Sequence, residues 1–323
     1  MAGIPTLLPV DIVVPTRGRG ALIDTAISSI RQSTHSNFTL WIIDQSDDHA
    51  TARAVAPHLR ADPRVRYVHS ISRGISIARN QGVALGSAPF ILFTDDDCAV
   101  APGWVGAMLE ELAQEDTWAV FGRVLPTTES GSTVANATLR ALPIAIKTSQ
   151  RRAVYKGNRF DLGFGHGACM GVRRSSYDQV HGFDELLGTG GPLHSWEDRD
   201  LGYRVLRRGG RIVYAPGSLV YHRQWRDWAE VRRTYRSYAI GVGAATAKYL
   251  RCGDWGGCYL FGEWLLDQGL RQIVSGALKW RSWQKVLIGV SQFVYPWVGL
   301  AQGLRYPVDR QRMLYRPARR ATA

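Results

Sequence analysis

Short apolar segments alternate with amphipathic segments along residues 10–124 of this 323-residue chain. The short segments are rich in β-branched and aromatic residues, as strands are. They are Val10–Val14, Phe38–Asp44, Val65–His69, Phe90–Thr94 and Trp118–Val124. Between them, apolar residues recur at helical spacing in Ala21–Ser33, Ala50–Leu59, Ile75–Leu85 and Pro102–Glu115. This alternation predicts an α/β fold with a central, mostly parallel sheet covered by helices on both faces.

The rest of the chain follows a different pattern. Periodicity is weak from Thr127 to Phe160, which indicates a variable excursion. Further predicted elements are a strand at Ala168–Val172, a helix at Trp196–Arg208 and short strands at Arg211–Tyr214 and Leu219–Tyr221. From Trp225 to about Leu304 the pattern is helical. We therefore predict two domains, an α/β domain at 1–222 and a helical extension at 223–323.

The net charge of +13 is concentrated in the C-terminal part of the chain. Residues 201–323 carry 21 Lys and Arg but only 6 Asp and Glu, and they include seven of the eleven tryptophans. A basic, Trp-rich extension indicates an anionic partner, either a membrane surface or a nucleic acid.

An uncharged run of 19 residues, 286–304, lies within this extension. Pro296, three glycines and two glutamines weaken it as a transmembrane segment, and Lys279, Arg281 and Lys285 precede it. Tryptophans interleaved with basic residues favour a helix that lies in the headgroup region of an anionic leaflet. Ordinary helices packed on a core, and a true membrane span, are the alternatives.

The four cysteines, at 98, 169, 252 and 258, lack the spacing of a zinc site or of a disulfide framework. We expect reduced thiols and a cytoplasmic protein. The first residues lack a basic leader followed by a long apolar run, so we expect no signal peptide.

Three consecutive aspartates, Asp95, Asp96 and Asp97, follow the apolar segment at 90–94. Ligands of parallel sheets bind at the carboxyl ends of the strands, which is where this triplet is expected. Three carboxylates at this spacing repel one another unless a cation neutralises them. Oxygen ligands of this kind suit Mg²⁺ or Mn²⁺, with phosphate oxygens and water completing the coordination. The alternative, a solvated turn that caps the next helix, requires one acid and not three.

A second acidic cluster, Glu197-Asp198-Arg199-Asp200, follows the glycine-rich loop at 188–191. One function for it is that of a general base, which takes a proton from an acceptor hydroxyl. The structural alternative is that acids in the first turn of a helix interact favourably with the helix dipole.

Five motifs, in order, resemble those of the family 2 glycosyltransferases, which have the GT-A fold. They are Val10-Asp-Ile-Val-Val-Pro-Thr16, Trp41-Ile-Ile-Asp-Gln-Ser-Asp47, Arg73-Gly-Ile-Ser-Ile-Ala-Arg-Asn-Gln-Gly82, Asp95–Asp97 and Glu197-Asp198. The resemblance covers about residues 10–222. Each motif alone is weak or moderate, whereas five in the right order are specific.

The resemblance implies a role for each matched residue. Pro15, Thr16 and Asp44 would line the nucleoside pocket, and Arg79 would lie near the donor phosphates. Asp97 would be the main metal ligand, with Asp95 at the metal and donor sugar and Asp96 in support. The remaining implied residues are His222, which would complete the metal site, Asp198 as the base, and Glu197, which would orient the acceptor.

The implied reaction is the transfer of a sugar, with inversion, from a nucleotide-sugar donor to an acceptor hydroxyl in the presence of Mn²⁺ or Mg²⁺. A UDP-sugar is the expected donor, although Gln45 departs from the family motif and leaves thymidine and guanosine open. The expected acceptor is a saccharide or a lipid-linked sugar in surface polysaccharide or glycolipid synthesis. Attachment of the extension at 225–323 to the inner face of the cell membrane would suit a lipid-linked acceptor.

Two other functions are compatible with parts of the sequence. A sugar-phosphate nucleotidyltransferase would share the sheet and the aspartates, and Arg17-Gly-Arg-Gly20 faintly resembles its glycine-rich loop. A nucleic-acid-binding protein would use the basic extension, but it leaves the acidic clusters without a function, and we expect no nucleic-acid partner.

Overall fold

The computed structural model describes residues 8–127 and 143–317. Part of the predicted excursion at 127–160 therefore lies outside the described residues. The chain forms two compact units. The first contains the described residues up to 127, Pro143–Gly182 and Leu201–Trp225. The second contains Phe183–Asp200 and the described residues from Arg226 onward.

A nine-stranded sheet forms the centre of the first unit. Its strands are β1 (Val10–Thr16), β2 (Phe38–Asp44), β3 (Val65–His69), β4 (Phe90–Phe93), β5 (Cys98–Val100), β6 (Thr117–Thr127), β7 (Ala153–Tyr155), β8 (Met170–Arg173) and β9 (Arg211–Arg223). They lie in the order β3-β2-β1-β4-β8-β6-β9-β5, and β7 also pairs with β9. All five predicted N-terminal strands are present, because continuous apolar runs such as 90–93 are buried on both faces of the sheet.

Parallel pairing dominates one half of the sheet. Strand β1 is parallel to β2 and β4, and β2 is parallel to β3. Strand β8 is inserted antiparallel between β4 and β6, whereas β6 and β9 are parallel. The prediction of a mostly parallel α/β sheet is confirmed.

Four helices alternate with the first strands, as the periodicity predicts. They are α1 (Gly20–Arg31), α2 (Ala50–Ala61), α3 (Ile75–Leu85) and α4 (Trp104–Leu112). Helix α3 approaches β1 closely at Gly82, where a Cβ atom would lie 2.4 Å from a Val13 methyl carbon. This packing explains why a glycine occurs in the middle of an otherwise regular helix.

The last strand of the sheet differs from the prediction of two short strands. Strand β9 continues from Arg211 to Arg223 across Pro216 and Gly217. Its pairing with β6 shifts between Gly122 and Arg123, where the register moves from Ala215 to Leu219. The proline and glycine therefore lie in an irregularity of one strand, which local sequence cannot distinguish from a break.

Helices make up most of the second unit, as predicted for the extension. Helix α5 (Arg174–Gln179) belongs to the first unit, and α6 (Glu197–Arg207) spans the division that follows Asp200. The following helices are α7 (Trp228–Arg251), α8 (Gly256–Trp264), α9 (Arg271–Leu278) and α10 (Trp283–Gly303), with a π-helical segment at Leu265–Leu270. Asp227 and Glu230 form a reciprocal capping box that fixes the start of α7.

Helices α7 and α10 pack through small residues. A Cβ atom on Gly243 would lie 1.9 Å from the carbonyl oxygen of Pro296, and one on Gly299 would lie 2.0 Å from that of Ile240. The two helix backbones therefore touch, and no larger side chain fits at either position. Among the described residues, no helix combines the length and the apolar character needed to cross a membrane.

Large apolar side chains are exposed along the second unit. Apart from Leu59, Ile71, Leu85 and Val154, every exposed large hydrophobic residue in the described ranges lies between Trp255 and Leu304. Leu278 and Trp283 are 77% and 71% exposed. Trp280 lies between α9 and α10, and the Nζ atom of Lys285 is 3.5 Å from its ring centroid. The Nζ atom of Lys279 is 5.3 Å from the same centroid. We call the exposed apolar residues from Trp255 to Leu304, with these lysines, the apolar–basic surface.

Candidate active site

The polar ends of three neighbouring strands meet at one edge of the sheet in the first unit. Thr16 ends β1 and is paired in register with Asp44, which ends β2. The triplet Asp95–Asp97 follows β4, the other neighbour of β1. The parallel register places these residues together, as predicted from the strand ends.

Asp97 lies at the centre of the site. One of its carboxylate oxygens lies 3.3 Å from His222 Nε2, and the other accepts a 3.0 Å hydrogen bond from the Trp225 indole. Burial raises the pKa of Asp97, but the charge and hydrogen bond of His222, together with Arg19 and Trp225, outweigh it and hold that pKa below its ordinary range. Asp97 is therefore held as a carboxylate.

His222 is oriented by a carbonyl group behind it. It pairs in register with Cys98, on the strand that directly follows the aspartates. Its Nδ1 lies 3.0 Å from the carbonyl oxygen of Ile144. The Gln224 amide nitrogen lies 2.9 Å from the same Nδ1, so the two contacts fix the orientation of the ring, with Nε2 toward Asp97, and do not fix its tautomer. Metal-binding histidines are commonly oriented in this way by a second group.

Asp97, Cys98 and His222 could hold a metal ion, because one ligand atom from each lies within 4.8 Å of the others. A carboxylate and an imidazole are suitable ligands for Mn²⁺, and a diphosphate would supply further oxygens. Burial, followed by the charges of Asp97 and Asp95, raises the pKa of the Cys98 thiol well above its ordinary value. A soft sulfur ligand also suits Mn²⁺ and Mg²⁺ less well than oxygen ligands do, so Asp97 and His222 are the better candidates.

Asp96 connects the triplet to the loop after β1. Its carboxylate accepts a 2.7 Å hydrogen bond from the Thr16 hydroxyl and forms a 2.9 Å ion pair with Arg19. Burial raises the pKa of Asp96 to about 6, and Asp97 adds to this effect while Arg19 opposes it. In this geometry Asp96 holds the loop rather than facing outward.

Asp95 lies outside the group of metal-ligating atoms. Its carboxylate is 3.0 Å from Arg79 Nη2, and its side chain is one-quarter exposed, whereas Arg79 is buried. Arg79 packs beside Gly167, where a Cβ atom would lie 2.9 Å from its guanidinium. The structure thus brings Arg79, predicted near the donor phosphates, to the triplet.

Asp44 is fully buried at the end of β2. It accepts hydrogen bonds from the Tyr67 hydroxyl at 2.8 Å and from the Ser46 backbone at 2.9 Å. Pro15 precedes Thr16 in β1 and pairs with Ile43. Gln45 binds Ser72 and the backbone of Gly74, so it fixes the start of α3.

The second acidic motif lies in the second unit, at the start of α6. Glu197 is buried and Asp198 is partly exposed. Asp200 has a different environment, because it forms a fully buried ion pair of 2.6 Å with Lys248, which also contacts Asp184 at 2.6 Å. The His166 Nε2 atom lies 3.2 Å from the Ile146 carbonyl oxygen in the first unit.

Sequence reasoning missed Arg19, Trp225 and Lys248. Arg19 occurs in the Arg17–Gly20 loop, which follows a strand end and thus had a positional signal. Trp225 lies three residues after His222, close enough to have been considered with it. Lys248 is the one charged residue between Ala239 and Tyr249, in a small-residue stretch of α7 that predicts burial.

The family model described as "Glycosyl transferase family 2" matches residues 11–180. The pre-mycofactocin glycosyltransferase of Mycobacterium tuberculosis is 27% identical over 241 residues, which is 72% of this chain and 47% of the relative. The N-acetylglucosaminyl-diphospho-decaprenol L-rhamnosyltransferase of the same species is 23% identical over 237 residues, 65% of this chain and 75% of the relative. The chain thus spans about half the length of the first of these relatives.

Solved structures share the fold. The mannosyltransferase PcManGT of Pyrobaculum calidifontis, in complex with GDP-Man and Mn²⁺, matches with a TM-score of 0.62 and 15% identity, over 94% of this chain and 89% of that one. Staphylococcus aureus TarS residues 1–349, with UDP-GlcNAc, match with a TM-score of 0.53 and 14% identity, over 72% of this chain and 66% of that one. These matches confirm the predicted GT-A fold.

Proposed function

Because the chain belongs to glycosyltransferase family 2, we propose that it transfers a sugar from a nucleotide-sugar donor to an acceptor hydroxyl, with inversion and with a divalent metal ion. The observation that carries this proposal is the buried Asp97–His222 pair, in which a carboxylate oxygen and Nε2 are 3.3 Å apart at the carboxyl end of the sheet. A carboxylate oxygen and an imidazole nitrogen at this separation are ligand types that Mn²⁺ accepts.

Asp97 and His222 would hold the cation in this proposal. Bound there, Mn²⁺ or Mg²⁺ supplies positive charge for the departing nucleoside diphosphate. Arg79, which is buried and 3.0 Å from Asp95, would bind a donor phosphate. Thr16, Asp44 and Pro15, at the ends of β1 and β2, would line the nucleoside pocket.

Asp198 is the proposed general base, and Glu197 would orient the acceptor. The carboxylate of Asp198 would take the proton of the acceptor hydroxyl as its oxygen attacks the anomeric carbon. Asp200, the third acid of the motif, is paired with Lys248 and unsuited to this role. The assignment of Asp198 therefore rests on its motif and its partial exposure.

The donor and acceptor are proposed by class. Solved structures with the same fold hold GDP-Man or UDP-GlcNAc, so a panel should include UDP-, GDP- and dTDP-sugars, with a UDP-sugar as the first expectation. The rhamnosyltransferase relative is named for an acceptor on a lipid diphosphate, which supports a lipid-linked or saccharide acceptor here.

Release of nucleoside diphosphate from this panel, with Mn²⁺ present, tests the transferase proposal. Asp97→Asn should abolish the release, because it removes a negative charge from the metal site. Asp116→Asn is the matched control, since Asp116 is half exposed and pairs with Lys156 and Arg211 rather than with the triplet. Consumption of pyrophosphate instead would indicate a nucleotidyltransferase, and full activity of Asp97→Asn would contradict the metal assignment.

The anomeric configuration of the product tests inversion directly. Proton NMR of a reaction stopped early should give the configuration opposite to that of the donor. A product with retained configuration would exclude the single displacement with Asp198 as base.

We also propose that the apolar–basic surface attaches the protein to the inner face of the cell membrane. Exposed tryptophans and leucines beside Lys279, Arg281 and Lys285 combine apolar burial with attraction to anionic lipids. Exposed apolar patches rimmed by polar residues mark protein or membrane interaction sites. Membrane attachment would bring the site to a lipid-linked acceptor.

Co-sedimentation with vesicles of phosphatidylcholine and phosphatidylglycerol tests this attachment. Leu278→Ser should weaken binding by roughly tenfold, since burial of one leucine stabilises the bound state by at least about 1.5 kcal/mol. Ile71→Ser removes a similarly exposed aliphatic side chain from the first unit and should leave binding unchanged. Equal effects of the two substitutions, or salt-sensitive DNA binding without vesicle binding, would contradict the proposal.

A further inference from the structure

The guanidinium of Arg19 bridges two members of the aspartate triplet. Its Nη1 lies 2.9 Å from Asp96 Oδ1 and 3.3 Å from Asp97 Oδ2. The Asp96 and Asp97 side chains are 4% and 2% exposed, whereas that of Arg19 is one-third exposed. A partly exposed cation therefore reaches from the loop into a buried pair of carboxylates.

Trp225 completes this arrangement on the other side. The Arg19 guanidinium carbon lies 5.0 Å from the centroid of the Trp225 ring, and the indole N–H donates to the same Asp97 oxygen that faces Arg19. That oxygen is shared by two donors, while the second oxygen of Asp97 faces His222. The Arg19 guanidinium is thus held by its two ion pairs and by its contact with the Trp225 ring.

Arg19 and a divalent cation would compete for Asp97. A cation bound by Asp97 and His222 would share the Asp97 carboxylate with the Arg19 guanidinium, which is already 3.3 Å from it. Two positive charges at this range repel, and burial leaves little water to screen them. The guanidinium must therefore leave or loosen before the cation binds tightly.

The diphosphate of the donor is an anion that the displaced guanidinium can bind. Arginine binds phosphate through two parallel N–H···O bonds, a geometry as favourable as its contact with a carboxylate. Arg19 lies at the start of α1, directly after Gly18, whose left-handed backbone has open space beside it. Because the Arg19 side chain is one-third exposed and lies on a loop and not in a strand, it can turn toward an anion outside the strand ends without a change in the sheet.

We propose that Arg19 is the resting counter-ion of Asp96 and Asp97, and that the donor diphosphate draws it away, so that metal and donor bind cooperatively. This inference rests on the proposed function, because it assumes the metal site at Asp97 and a nucleotide-sugar donor. It assigns to Arg19 a positioning role that makes metal entry depend on the donor.

Mn²⁺ binding to the full chain, measured by electron paramagnetic resonance with and without UDP or GDP, tests the inference. Wild-type protein should bind Mn²⁺ alone weakly and about tenfold or more tightly with nucleotide. Arg19→Gln should bind Mn²⁺ alone about tenfold more tightly than wild type, and nucleotide should raise its Mn²⁺ affinity by a smaller factor than it does in wild type. Arg17→Gln is the matched control, because it removes the same charge from the same loop but contacts exposed Asp47 and not the triplet.

The outcomes separate this inference from the proposed function. Equal Mn²⁺ affinities in wild type and Arg19→Gln, both lost in Asp97→Asn, would overturn the role of Arg19 and leave the metal site intact. Mn²⁺ binding that survives Asp97→Asn would overturn the metal site and this inference with it. If circular dichroism shows that Arg19→Gln does not fold, the measurement on wild-type protein still tests the inference. A wild-type Mn²⁺ affinity that does not increase with UDP or with GDP overturns it.

Discussion

Replacement of Lys248 by Met should destabilise the second unit by about 3–5 kcal/mol, because two buried carboxylates lose their cation. The Nζ of Lys248 lies 2.6 Å from an oxygen of Asp184 and 2.6 Å from one of Asp200, and all three side chains are fully buried. At an effective dielectric constant of about 20, each contact corresponds to about 6 kcal/mol of Coulomb attraction. Desolvation of several kcal/mol per ion offsets much of this in the intact cluster, and it remains when Lys248 is removed.

Guanidinium unfolding followed by tryptophan fluorescence is a suitable assay, since most of the tryptophans lie in the second unit. The triple variant Lys248→Met, Asp184→Asn, Asp200→Asn should recover most of the loss, because no charge stays buried. Recovery should be incomplete at Asp184. Its two oxygens accept from the Leu186 and Tyr315 backbones, and an Asn has only one accepting oxygen.

The charge argument would be refuted by either of two results. A loss below about 1 kcal/mol in Lys248→Met would mean that water reaches the cluster or that the carboxylates take up protons at little cost. A triple variant no more stable than the single one would mean that the lysine side chain acts through packing and not through charge.

Three further predictions concern the first unit and the reaction. Gly82→Ala should lower the free energy of unfolding by about 1–3 kcal/mol, because its Cβ would clash with Val13. In the double variant Gly82→Ala, Val13→Ala the clash is absent, so its denaturation midpoint should be higher than that of Gly82→Ala alone. Asp198→Asn should keep donor affinity, measured by calorimetry, and lose transfer; weaker donor binding would remove Asp198 from the base role. Chelation by EDTA should stop nucleoside diphosphate release, and Mn²⁺ should restore it; activity that persists in EDTA would exclude a required metal.

Much of the α/β fold follows from local sequence. The strand at 90–93 and its neighbours are recognisable because burial on both faces demands continuous apolar residues. The location of the candidate site follows as well, since polar residues such as Asp44 and Asp95 lie at or just after strand ends, and strand ends converge in a parallel sheet.

Contacts between distant residues could not be predicted in the same way. Nothing local specifies that β8 pairs antiparallel between β4 and β6, or that the indole of Trp225 reaches Asp97 across 128 positions. The ion pair of Arg19 with Asp96 is also a product of tertiary structure, across 77 positions. Sequence patterns indicate which polar residues lie at strand ends, but the partner of each depends on how the chain folds.

The close packing of α7 against α10 explains why the mean hydropathy of residues 286–304 is lower than that of the outward face of α10. The residues of α10 that face protein include Gly289, Gln292, Pro296, Gly299 and Gly303, which are small or polar. Those facing outward are the apolar ones: Leu287, Val290, Phe293, Val294, Trp297 and Val298. An average along the helix combines the two sets and gives a moderate value, although the outward face alone is strongly apolar. The three glycines, Pro296 and Gln292, which weaken this run as a transmembrane segment, are all buried against protein.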